Sequence, residues 1–174
     1  MLVLGLSWAR AEVPEPQDYW TGDPKGEVPA SLGGGRVLDL AALREELKGN
    51  AILIDVSRAQ HRPDTLSKGT LWMPTPHKAI PASHWWPGAG EGRLSPEQES
   101  AFRLKLESLT HADKSTPVIF YCHEHCWLSW NAAKRTIGHG YSHIDWYPDG
   151  IEGWTRANLP TETVSAESSI AGTP

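Results

Sequence analysis

Apolar positions along this chain follow two different periods. Residues 51–56 ("AILIDV") and 117–121 ("PVIFY") are continuous apolar runs of strand length, as expected of strands buried on both faces of a parallel sheet. "HIDWY" (143–147) reads as a further strand, and Val37 with Leu38 as a short one. Between them the period becomes helical. After Asp39 as N-cap, Leu40, Leu43 and Leu47 share a face, and Gly49 ends the segment. Ser95 caps a second helix, with Pro96 at its first position, Gln98 closing a capping box, and Phe102, Leu106 and Leu109 on one side. A third helix runs through "LSWNAAKRTIG" (128–138) and stops at Gly138. Strands alternating with helices predict a single α/β domain: a central parallel sheet with helices on both faces. Ligands in such folds sit at the carboxyl ends of the strands.

The remaining stretches have no period. Residues 2–8 are apolar and end at Ala9-Arg10-Ala11, a small-x-small cleavage pattern without a basic start. Residues 1–11 therefore read as a truncated signal peptide, which predicts export and a periplasmic location. Residues 12–35, rich in Pro and Gly, read as an extended arm with Tyr19 and Trp20 as anchors. Residues 57–92 carry many Pro, His and Trp and are too long for a plain connection, so they are expected to serve function or cover a pocket. Pro148, Asp149 and Gly150 mark a turn. Beyond Pro160 the chain is polar and small, which predicts disorder and places the domain at 36–162 with a flexible tail at 163–174.

Composition removes several function classes. At 174 residues, one core is the default. The net charge is −5 with both signs interspersed, so there is no basic stripe and nucleic acid is not an expected partner. No run approaches the roughly 18 apolar residues of a membrane span. Nine tryptophans stand against two phenylalanines; most fall between Trp72 and Trp154, where they read as core and pocket wall. Trp127 and Trp130 share a helical face, while Lys134 and Arg135 read as a solvated one.

The chemistry gathers in "CHEHCW" (122–127), which holds both cysteines directly after a buried strand. One reading is a metal site: Cys122, Cys126, His123 and His125 are soft ligands suited to copper or zinc. Against it, successive residues of a tight loop do not all point at one ion. Another is a disulfide. Closing so small a loop stabilises by only about 2 kcal/mol, against roughly 4.7 kcal/mol for a hundred-residue loop, so a redox role fits better than a staple. The third reading makes a cysteine a nucleophile, with His123 or His125 carrying protons.

Several segments taken in order resemble the rhodanese domain, over about residues 37–162. They are "AILIDVSR", "AIPASHWWPG", "PVIFYC", "GYSHIDWYPDGIEGW" and "NLPTE". Within that superfamily, "CHEHCWLSWNAAKR" with "WYPDGIEGW" resembles an exported branch named for a CXXCW motif and associated with pyrroloquinoline quinone (PQQ)-dependent alcohol catabolism. In this chain three residues separate the cysteines. The resemblance implies a catalytic Cys122 on a loop whose N–H groups and following helix favour the thiolate, taking sulfur from a donor as a persulfide. Cys126 would then resolve the persulfide as a disulfide. His123, Glu124, His125 and Trp127 complete the loop, and Trp127 stands where the family carries an arginine that binds an anionic donor. Arg58 would approach from the neighbouring strand end, and Asp55 would make a structural hydrogen bond. The resemblance implies no cofactor of the protein's own, PQQ belonging to partner enzymes. Its implied partners are a small sulfur or thiol substrate and a periplasmic PQQ-dependent dehydrogenase system. The alternative is a non-catalytic redox or metal-binding accessory protein of that pathway.

Overall fold

The computed structural model describes residues 13–167, so the expected signal segment lies outside the described residues. After β1 (Arg36–Val37), Asp39 caps α1 (Leu40–Glu46), its carboxylate accepting from Ala42 N at 2.8 Å. β2 (Ile52–Asp55) follows, then β3 (His77–Ala79) and β4 (His84–Trp85). The expected capping box of Ser95 and Gln98 starts α2 (Pro96–Thr110). β5 (Val118–Tyr121), α3 (Trp127–Gly138), β6 (Ile144–Tyr147), α4 (Gly150–Arg156) and β7 (Glu162–Val164) complete the order.

The main sheet runs β1-β6-β5-β2-β4 and is parallel throughout. Alternation along β5 divides the core. Val118 and Phe120 pack with Phe102 and Leu106 of α2 and with Trp130, Ala132 and Ala133 of α3. Ile119 and Tyr121 face the other way, toward Leu43 of α1 and Trp154 of α4. Burying one such apolar side chain contributes about 1.5–3 kcal/mol. Phe102 alone thus matches what a disulfide across the small cysteine loop would add, and the fold does not depend on a staple.

The turn expected at Pro148–Gly150 leads directly into α4, and residues 57–92 contain β3 and β4. Two expectations fail. The polar stretch after Pro160 is structured as far as Glu167. β7 pairs antiparallel with β3, and Glu167 accepts from Trp86 Nε1 at 3.0 Å and meets His84 Nδ1. Backbone pairing satisfies a strand edge whatever the side chains are, so polarity alone does not decide disorder. Arg135 is 1% exposed and donates to the carbonyls of Ala89 and Glu91 and to Glu99. Lys134 donates to the carbonyls of Pro16 and Gln17 at 2.6 and 2.7 Å. Both long side chains bury their stems and satisfy their heads instead of forming a solvated face.

The arm expected at 12–35 lies along α3 over its described part. Trp20 stacks on Trp127 with centroids 4.5 Å apart, and its backbone exchanges two hydrogen bonds with the Asn131 amide. Tyr19 lies under the Arg135 guanidinium, and Trp130 Nε1 donates to Ser31 O.

Candidate active site

Cys122 leaves β5 at the carboxyl edge of the sheet, where the fold rule places ligands, and Cys126 is the N-cap of α3. The chain turns back between them through His125, whose φ of 57° is left-handed. Their sulfurs lie 2.6 Å apart. Both cysteines are buried, Cys122 at 1% and Cys126 at 7% exposure. α4 holds the loop from below. Ile151 N donates to Cys122 O at 3.0 Å, and Glu152 accepts from Glu124 N at 2.8 Å and meets His123 Nδ1 at 2.7 Å. Gly150 permits this approach: at φ 58°, a Cβ there would sit 2.5–2.7 Å from His123 C, Cys122 O and Glu124 N.

The two thiols are not equivalent. The contact with Cys122, together with the nearby N–H groups of Leu128 and His123, holds Cys126 down at about 7 against its burial. Burial pushes Cys122 well up, its bond to Cys126 adds to that, and the His123 N–H and the Ser57 hydroxyl at 3.7 Å only partly oppose it. These directions favour the charge on Cys126, beside the Cys122 that the sequence reading made the principal thiol. Free N–H groups lie at the helix start beside the N-cap residue, although the Cys126 sulfur makes no capping hydrogen bond there.

A cleft of about 490 Å³ opens over the pair, walled by residues 122–126, Pro24, Lys25, Arg58, Leu128 and Glu152. Arg58 reaches it as expected. Its guanidinium forks onto Glu91 at 2.7 and 2.8 Å, which raises its pKa. His123, Glu124 and His125 line the same space, with Glu124 also bound to Arg156 at 2.6 Å. Trp127 does not line this cleft: its ring faces Trp20, and its N–H donates to Pro24 O. Asp55 is buried behind the pair, accepting from Ser57 N and meeting His77 Nε2, both at 2.8 Å.

The family model of the rhodanese-like domain matches residues 39–157. The chain belongs to this family. No curated protein matches the sequence. Among solved structures, thiosulfate sulfurtransferase from Pseudomonas aeruginosa superposes with a TM-score of 0.52 at 18% identity, over 80% of this chain and 22% of that one. This chain thus spans about a fifth of that enzyme's length. An uncharacterized protein from Saccharomyces cerevisiae is similar with a TM-score of 0.43 at 22% identity, over 70% of this chain and 92% of that one. The polysulfide-sulfur transferase homodimer from Wolinella succinogenes gives 0.43 at 16% identity, over 76% and 82%. At these identities the structural likeness shows the fold.

Within this rhodanese-like domain, the two sulfurs of the loop meet each other, while His123 is turned onto Glu152. Among the described residues, the one set of three donors within 4.8 Å of each other is Glu46, His143 and Asp145, where the Arg36 guanidinium already bonds both carboxylates. Sequence reasoning missed Lys25, Ser57 and Glu152, which touch the rhodanese-like site from three separate segments. Only Ser57, two residues beyond a strand-terminal Asp55, carried a local signal. Among the described residues no helix is long and apolar enough to cross a membrane.

Proposed function

We propose that this rhodanese-like protein is an exported, sulfurtransferase-like enzyme that handles persulfide sulfur through a dithiol pair. The observation that carries the reading is the 2.6 Å contact between two buried sulfurs, one of them on the N-cap residue of α3, beneath an open cleft. The Cys126 thiolate attacks the outer sulfur of a donor. A bond forms to that sulfur, the donor's own S–S bond breaks, and the remainder leaves with the electron pair, as sulfite would from thiosulfate. An acceptor nucleophile can then take the outer sulfur and restore the thiolate. Alternatively Cys122 gives up its proton and attacks Cys126 Sγ. The Cys122–Cys126 disulfide forms, hydrosulfide leaves, and an external thiol later supplies the two electrons that reset the pair. Ser57 and the Glu152-anchored loop hold the sulfurs in place.

Export rests on residues 1–11, and the link to PQQ-dependent oxidation rests on the resemblance around the cysteine loop. PQQ would belong to the partner dehydrogenase system. A native N-terminus at Met1 would refute export.

Intact mass before and after incubation with thiosulfate or a persulfide tests the chemistry. The reduced protein is expected to gain one sulfur. Cys122→Ser should keep that sulfur stably on Cys126, and Cys126→Ser should load at least a hundredfold more slowly. If no donor adds sulfur to the wild type, while the pair still cycles between dithiol and disulfide, the protein is a redox accessory and not a transferase.

A further inference from the structure

The charges around the cleft are almost all committed. Glu124 is paired with Arg156, Glu152 with His123 and the Glu124 N–H, and Arg58 with Glu91 through two bonds. Lys25 is the exception. It lines the cleft from the arm, and its ammonium has no carboxylate partner among the described residues.

Its position is fixed by the backbone. Lys25 pairs with Cys126 as an isolated antiparallel bridge, flanked by Trp127 N donating to Pro24 O and Gly26 N donating to His125 O, both at 2.8 Å. Asp23 Oδ1 accepts from Lys25 N at 2.9 Å. The Trp20–Trp127 stack and the Asn131 amide anchor the strand just upstream. The arm residues of these pairs, 20–26, lie outside residues 39–157, so the arm is an addition to the matched family unit that closes one side of its cleft. Directly opposed residues of an antiparallel pair have Cβ atoms about 4.5–5.5 Å apart on one face, inside the roughly 8 Å Debye length at physiological salt. A thiolate repels an incoming anion. With Arg58 already neutralised, the uncommitted positive charge on the arm offsets that repulsion.

We propose that the arm is part of the site and that Lys25 selects small, negatively charged sulfur compounds, steering them to the Cys126 thiolate. As to substrate the inference rests on the sulfur-transfer reading; the steering itself does not.

Iodoacetate and iodoacetamide differ by one charge, and their rates of Cys126 alkylation on the reduced full chain, followed by peptide mass, measure the preference directly. Lys25→Gln is expected to lower the iodoacetate-to-iodoacetamide rate ratio by about threefold to tenfold at low salt, and Lys25→Arg to retain it. Raising the salt to about 0.5 M should close the gap. The ratio cancels any change in access that affects both reagents. An unchanged ratio in Lys25→Gln overturns the inference. With thiosulfate as donor, Lys25→Gln should raise KM and spare kcat. A wild type that shows the charge preference but gains no sulfur overturns the sulfur-transfer reading alone. A protein that loads sulfur with the same KM in wild type and Lys25→Gln overturns this inference alone.

Discussion

Cys126 owes its chemistry to a single backbone placement. Because the thiolate is the attacking species, alkylation by iodoacetamide should be slow in acid and rise with pH as the proton leaves, with a midpoint at about 7. Cys122→Ala removes the largest cause of the lowered value and should move that midpoint upward; Cys122→Ser, which keeps a donor, should move it less. A midpoint that stays put in Cys122→Ala would assign the charge to the helix start alone. The pair itself was legible in "CHEHC", as was its position after a strand. Which sulfur carries the charge was not legible. That depends on the left-handed turn at His125, which brings the two sulfurs together at the start of α3, and no periodic pattern encodes it.

Among the elements, α4 is the one whose sequence conceals it. Two glycines lower its propensity, and Asp149 at its N-cap makes no side-chain bond. Contact with the cysteine loop holds it, through Ile151 N to Cys122 O and Glu152 to residues 123 and 124. Gly150→Ala should therefore act on both partners at once. A left-handed residue with a Cβ pressed into the loop backbone is expected to cost about 1–3 kcal/mol in denaturant unfolding and to slow Cys126 alkylation. A variant with wild-type stability and reactivity would show that the two backbones can separate freely. By contrast, α2 was readable to its capping box, because Ser95, Pro96 and Gln98 are local signals for a local structure.

At the scale of the molecule, the centre of the parallel sheet was legible because β2 and β5 are buried on both faces and so are almost continuously apolar. The small β3–β7 sheet was not. β7 and Glu167 are polar, and what orders them is the backbone edge of β3 together with His84 and Trp86. Ending the chain at Thr161 should lower the melting temperature, by about 2–4 °C for each kcal/mol lost, as followed by tryptophan fluorescence. An unchanged melting temperature would return this segment to the disordered tail that composition predicted. The arm's contacts were hidden for a similar reason: Tyr19 and Trp20 were legible as anchors, but α3 as their dock was not.

The bonds between Trp20 and Asn131 join residues 111 apart in sequence. The arm leaves the ribosome before its dock exists, and it gains nothing by ordering until α3 has packed on the sheet. Loop-closure entropy therefore makes its docking a late event in folding. A chain halted just short of the native state would have a complete core and both cysteines in position, yet one wall of the cleft would be open and Lys25 would still be in solvent.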